Sequence, residues 1–198
     1  MDKKVPLSEL LDRMNRFRKR MDLSCPDWHW VIVFSKVNQY YFTGTMQDGM
    51  LIIPKDDEPV YWVRRSYERA LDESTFPNIR PMKSYRDAAS YMRNIPDVLY
   101  TETGIVPYAM LQRLQKYFPF KHIKSADQSI MAVRARKSKY ELDIIIKAGK
   151  IHQKILEQRV PELLEEGMSE SDLAIRLFNV LMEEGHHGFA RFGMFDTN

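Results

Sequence analysis

The sequence predicts an α/β fold, a mixed β-sheet flanked by helices, on three observations. Residues 30–34 (WVIVF) form a continuous apolar run of strand length between polar segments, the pattern of a strand buried on both faces. Residues 50–53 (MLII) and 60–63 (VYWV) flank the polar stretch Lys55-Asp56-Asp57-Glu58-Pro59 and read as an antiparallel hairpin. Leu7, Leu10, Leu11, Met14, Phe17 and Met21 recur at helical spacing ahead of these runs, so that helices and strands are mixed along the chain.

Taken in order, the first helix presents that stripe inward and leaves Asp12, Arg13, Arg16, Lys19 and Arg20 for its polar face. The run at 30–34 should lie centrally in the sheet. After the hairpin, residues 64–74 suit a short helix, and 79–82 an edge strand, because Pro81 cannot donate to a ladder. Residues 85–95 read as a helix and 97–102 as a strand. Pro107 opens a helix that runs to Phe118 and stops at Pro119. A strand at 120–124 and a short helix at 126–136 complete a domain of ordinary size, residues 1–136.

Ser138-Lys139-Tyr140-Glu141 then has the form of a capping box, in which a hydroxyl and a carboxylate satisfy the first free amides of a helix. Ile144, Ala148, Ile151 and Ile155 follow as one stripe of a helix over 139–158, with Leu142, Ile145 and Ile146 on other faces. Gly167 and the second capping signal Ser169-Glu170-Ser171-Asp172 separate it from a helix over 170–184 carrying Leu173, Leu177 and Leu181. Residues 186–195 read as a strand. Two apolar-faced helices and one strand do not close a core, so residues 137–198 are expected to be the start of an incomplete second domain. Its stripes should be exposed or buried against a second copy of the chain.

Composition bounds the function classes. With 44% hydrophobic and 29% charged residues, the chain should fold around a core, and a net charge of +3 is too small to demand a polyanionic partner. Neither nucleic acid nor a membrane is expected as a partner, although Arg16 to Arg20 and Arg134 to Lys139 form basic clusters. The single cysteine, Cys25, excludes an intrachain disulfide and favours a cytoplasmic location. Residues 1–9 carry charges where a signal peptide needs an apolar core.

No catalytic, cofactor-binding or metal-ligating residue can be assigned from spacing. The five histidines, His29, His122, His152, His186 and His187, lack ligand spacing, and adjacent residues of a strand point to opposite faces. Neither G-x-S-x-G nor a glycine-rich phosphate cradle occurs. Cys25 reads as a structural thiol, and Glu165-Glu166 and Glu183-Glu184 as solvated surface.

Several short motifs, in order, resemble the creatinase, prolidase and aminopeptidase P family of metallohydrolases. They are LLDRMNRFRKRM in the first helix, Tyr41-Phe42-Thr43-Gly44 at a strand end, and Arg65-Ser66-Tyr67-Glu68-Arg69-Ala70 after a strand. Glu102-Thr103-Gly104 with Leu111-Gln112-Arg113-Leu114 follows, then Val133-Arg134-Ala135-Arg136-Lys137-Ser138 with Glu141 and Ala148, and finally Glu166-Gly167-Met168-Ser169-Glu170. The resemblance implies a ribonuclease H-like amino-terminal domain over 1–136 and the beginning of a "pita-bread" catalytic domain over 137–198. It implies that the whole protein hydrolyses Xaa-Pro peptide bonds with a divalent metal pair (manganese, cobalt or zinc) and forms a homodimer. The family's metal ligands, two Asp, one His and two Glu, fall beyond the segment equivalent to 186–198, so these residues are expected to shape the substrate cleft and the dimer without acting catalytically. The alternatives are a naturally shortened binding protein and a creatinase-like C–N hydrolase.

Overall fold

A computed structural model describes residues 4–186, which fall into two compact units, 4–136 and 137–186. The first is built on a six-stranded sheet of order β4-β3-β2-β1-β5-β6. Its strands are β1 (Trp30–Val33), β2 (Gly49–Pro54), β3 (Val60–Val63), β4 (Ile79–Pro81), β5 (Val98–Thr101) and β6 (His122–Ser125). β2 runs antiparallel to β1 and β3, while β1, β5 and β6 pair in parallel, as do β3 and β4. Five strands therefore point one way and β2 alone the other.

The elements follow from local chemistry. The apolar run at 30–34 is indeed central, with every residue of β1 buried, because a strand covered on both faces has no use for alternation. The hairpin pairs Ile32 with Ile52 and Ile52 with Val60 in register. β4 lies at the edge, where the donor missing from Pro81 costs nothing. At Gly49 a Cβ would sit 2.1 Å from the Trp62 carbonyl oxygen, so only glycine lets β2 approach β3 so closely.

Helices α1 (Leu7–Ser24), α2 (Lys36–Thr43), α3 (Tyr67–Glu73), α4 (Tyr85–Tyr91), α5 (Tyr108–Gln115) and α6 (Asp127–Ala135) flank the sheet. Trp30, Ile32, Met50, Ile52 and Trp62 pack with Ala88 of α4 and with Leu111 and Leu114 of α5 in one core. Val31, Val33, Leu51 and Ile53 point to the other face and are equally buried. On α1, Leu10, Met14, Phe17 and Met21 are buried, and the Phe17 ring lies 5.1 Å from that of Phe42 and 6.4 Å from that of Trp28.

Three local expectations are corrected. Leu7 and Leu11 are exposed, so the stripe of α1 is narrower than its apolar residues suggest. Arg13 is buried rather than solvated: its Nε donates to Glu9 Oε1 at 2.7 Å and its Nη1 to the Tyr41 carbonyl at 2.9 Å, while the guanidinium stacks on the Tyr41 ring. Tyr41-Phe42-Thr43-Gly44 ends helix α2, not a strand. Gly44 caps it in the left-handed conformation (φ 74°), which costs glycine nothing.

The second unit comprises α7 (Lys139–Lys154), a π-helical turn (Ile155–Arg159), α8 (Val160–Leu163) and α9 (Glu170–Glu183). Pro161 has no amide to donate to the preceding turn, and the π-helical turn ahead of it absorbs the lost bond. Both capping boxes form, Ser138 with Glu141 and Ser169 with Asp172. Three of the four paired acidic residues form ion pairs at the surface: Glu165 with Arg176 at 2.8 Å, Glu183 with Arg159 at 2.9 Å and Glu184 with Lys154 at 2.6 Å. The strand expected at 186–195 lies outside the described residues apart from His186.

Candidate functional site

The carboxyl ends of parallel strands are where α/β sheets gather loops, and in the first unit two features meet there. The deeper one is Glu102, which follows β5 in the Glu102-Thr103-Gly104 turn and is fully buried. Its Oε2 accepts from the amides of Phe34 at 2.6 Å and Ser35 at 2.9 Å, and its Oε1 accepts from Asn38 Nδ2. Asn38 Oδ1 in turn accepts from Arg134 Nη1 at 2.9 Å. Glu102 thereby takes up the amide of the N-cap residue Ser35 and that of Phe34 ahead of it, and ties the Asn38 side chain in the first turn of α2 to them. Burial pushes the Glu102 carboxyl above the usual glutamate range, against the pull of its three donors.

A second buried network holds the base of the same region. Gln39 Nε2 donates to the Gly49 carbonyl at 2.8 Å, and the Tyr61 hydroxyl donates to the Gln47 carbonyl at 2.8 Å and contacts Gln39 Oε1 at 3.1 Å. Burial raises the Tyr61 phenol, which stays neutral. The loop between α2 and β2 is tied to α3 by Glu73, which accepts from Thr45 Oγ1 at 2.9 Å, Gln47 Nε2 at 2.8 Å and Arg69. Burial alone would raise the Glu73 carboxyl, but these donors outweigh it and hold it below the usual range.

Above these supports opens a cleft of about 830 Å3, a size ordinary for a ligand site. The first residue of α2 supplies Lys36, and the loops after β3 and β4 supply Arg64 with Arg65, and Lys83. One face of α5 and its C-cap supply Arg113 and Lys116, three residues apart and so side by side. Asp48 is the one carboxylate in the lining, and it accepts from both Nε and Nη2 of Arg64, at 3.2 and 2.8 Å. Tyr85 also lines the cleft; burial pushes its phenol up, while Arg113 and Arg64 pull it down. Ser66, at the rim, has φ 59°, a left-handed conformation rare outside glycine.

The histidines and the cysteine singled out from the sequence do not converge on this cleft. His29, His122, His152 and His186 are exposed, Cys25 is half-buried, and His187 lies outside the described residues. Among the described residues no group of three or more His, Cys, Asp or Glu side chains could hold a metal ion, and no helix is long and apolar enough to cross a membrane. The basic clusters noted in the sequence are partly engaged: Arg16 pairs with Asp12 at 2.8 Å, and Arg18 donates to the Pro54 carbonyl at 3.0 Å. The six cations of the cleft form no pattern in the sequence because they are scattered along the chain, and only the strand order unites them. The pair Arg64-Arg65 directly after a strand is the one local signal.

The chain is similar in sequence and fold to known peptidases. The Xaa-Pro dipeptidase of Pyrococcus furiosus is 28% identical over 180 residues, which make up 88% of this chain and 49% of that protein. The solved prolidase from Pyrococcus furiosus superposes with a TM-score of 0.73 at 28% identity, covering 88% of this chain and 54% of that one. A Creatinase/Prolidase N-terminal domain of an X-Pro dipeptidase from Streptococcus pyogenes, 18% identical with a TM-score of 0.51, shares the fold over 61% of this chain and 98% of its own length. The chain spans about half the length of the curated relatives it matches. Residues 13–136 match the family described as Creatinase/Prolidase N-terminal domain, and the chain belongs to that family.

Proposed function

We propose that these residues are the amino-terminal, non-catalytic part of a Xaa-Pro metallopeptidase. Residues 1–136 are its creatinase/prolidase-type domain, and 137–198 are the beginning of its catalytic domain. The observation that carries this reading is the joint one that the family match ends at Arg136 while similarity to an Xaa-Pro dipeptidase spans 88% of the chain. The change of compact unit between Arg136 and Lys137 supports the same boundary. In this reading the whole protein takes peptide substrates, binds a divalent metal pair of manganese, cobalt or zinc downstream of the residues described, and acts as a homodimer in the cytoplasm. The first domain orients substrate, and its rigid supports at Glu102 and Gln39 suit that role.

The test is a comparison of two polypeptides on an Xaa-Pro peptide with manganese: the 198-residue chain, and the same chain extended through its coding sequence to the length of the relatives. Hydrolysis by the extended protein alone is expected. Turnover by the shorter chain, or an extended protein that binds metal but leaves Xaa-Pro bonds intact, overturns the reading.

A further inference from the structure

The charge of this protein is unevenly placed. Lys36, Arg64, Arg65, Lys83, Arg113 and Lys116 face Asp48 across one cleft, six cations against one carboxylate. That excess of five exceeds the +3 of the whole chain, so everything outside the cleft carries two more acids than bases. Crowding like charges into a concavity is unfavourable in itself, and a concave surface of one sign focuses the field on ligands of the other. Among the described residues Lys36, Arg113 and Lys116 form no ion pair with a carboxylate, and Lys83 has only the nearby Asp87, which its own amide also holds.

We propose that this cleft is a subsite for acidic peptides, in which separated cations take the carboxylates of an extended chain. The choice of peptide rests on the peptidase reading. A second argument comes from the cleft itself. Phosphate is ordinarily cradled by backbone amides at a glycine-rich turn or a free helix terminus. At the α4 side of the cleft the amides are already spent: those of Lys83 and Ser84 donate to Asp87 Oδ2, at 2.6 and 3.0 Å, and that of Arg86 donates to Ser84 Oγ at 3.2 Å. The cleft presents a set of side-chain point charges on two loops and on helices α2 and α5, interspersed with Met46, Met82, Met110, Tyr85 and Tyr117. Such a surface suits a chain of alternating carboxylates and apolar groups better than a compact phosphate.

The experiment measures anisotropy of dye-labelled pentapeptides on the 198-residue chain at low ionic strength. Three sequences share an Ala-Pro start and differ in three following residues: glutamate, glutamine or lysine. The glutamate peptide should bind about tenfold more tightly than the glutamine peptide, with the preference fading as salt rises. The double substitution Arg113→Glu with Lys116→Glu, on an exposed helix face, should abolish the preference and leave the far-ultraviolet circular dichroism unchanged. Lys19→Glu with Arg20→Glu, on α1, should leave the preference intact.

Equal binding of the three peptides, or loss of preference in the α1 variant alone, overturns the proposal. Displacement of the glutamate peptide by ATP at concentrations below its own Kd overturns it in favour of a phosphate ligand. If α5 reversal disturbs the fold, Lys36→Glu with Lys83→Glu gives the same test at the start of α2 and on the loop after β4. This readout needs no turnover: an extended protein that cleaves Xaa-Pro bonds but binds all three peptides alike removes the subsite and leaves the peptidase, and the converse result does the opposite.

Discussion

Residues 4–136 and 137–186 are similarly rich in apolar stripes but bury them to very different extents. In the first unit both faces of the sheet are covered, and Phe17, Phe34, Phe42, Ile32 and Ile52 are wholly enclosed. In the second, Ile155 and Val180 are the only hydrophobic side chains buried among the described residues, and no residue of α7 is buried at all. Ile144, Ile145 and Ile146 are each about half exposed, as are Leu142 and Met182. Of the expected stripes, Ile144 is half exposed, Ile151, Leu173, Leu177 and Leu181 are partly buried, and Ile155 is buried. Helices α7 and α9 are held instead by local polar contacts, two capping boxes and three ion pairs between side chains. Periodicity thus states which face a helix offers for burial, and only neighbouring elements decide whether burial happens.

The largest contrast should come from truncating equivalent apolar groups in the two units. Phe17→Ala opens a cavity in a fully enclosed core and should cost about 3–5 kcal/mol in urea denaturation. Ile145→Ala, at a half-exposed position, should cost less than about 1 kcal/mol in the same measurement. Similar losses at the two sites would erase the distinction.

Next in size is Glu102→Gln, at about 2–3 kcal/mol. The carboxylate accepts from three donors, and an amide nitrogen in its place would face one of them. Rotating Asn38 to compensate would break its bond to Arg134. The same residue gives a pH signature. Because burial holds the Glu102 carboxyl above the usual range, the folded state keeps its proton more tightly than the unfolded chain. Its contribution is full below the ordinary glutamate value and is lost as pH rises through the raised folded value. Denaturation midpoints of the native chain should fall across that window, and those of Glu102→Gln should lose that component of the slope.

The smallest effect is expected at Ser138→Ala, which removes the acceptor for the Glu141 amide at 3.1 Å. It should cost about 1 kcal/mol of helix α7, visible as faster amide exchange over the first turn and nearly absent from the global unfolding midpoint.

Much of this architecture is legible because it is local. A buried apolar run, a polar hairpin turn, Pro81 at an edge and two S-x-x-[DE] caps each carry their reason within a few residues. The departures share the opposite property. Tyr41-Phe42-Thr43 is rich in residues that favour strands, yet it is helical, and the acceptor for the amides just ahead of α2 is Glu102, which lies 68 residues from Phe34 and 67 from Ser35. Arg13 falls on the polar side of its helix by composition and is buried because Glu9 and the Tyr41 carbonyl meet it there. The cleft is illegible for the same reason, since Lys36, Lys83 and Arg113 become neighbours only once β1, β4 and β5 are aligned in one sheet.

Amide hydrogen exchange read by mass spectrometry on the intact 198-residue chain tests the contrast between the two units most directly. Segments covering β1, β2 and α1 should exchange only through global unfolding, while those covering α7 and α9 should exchange at least about a hundredfold faster. Uniform protection from α1 through α9 would contradict the account.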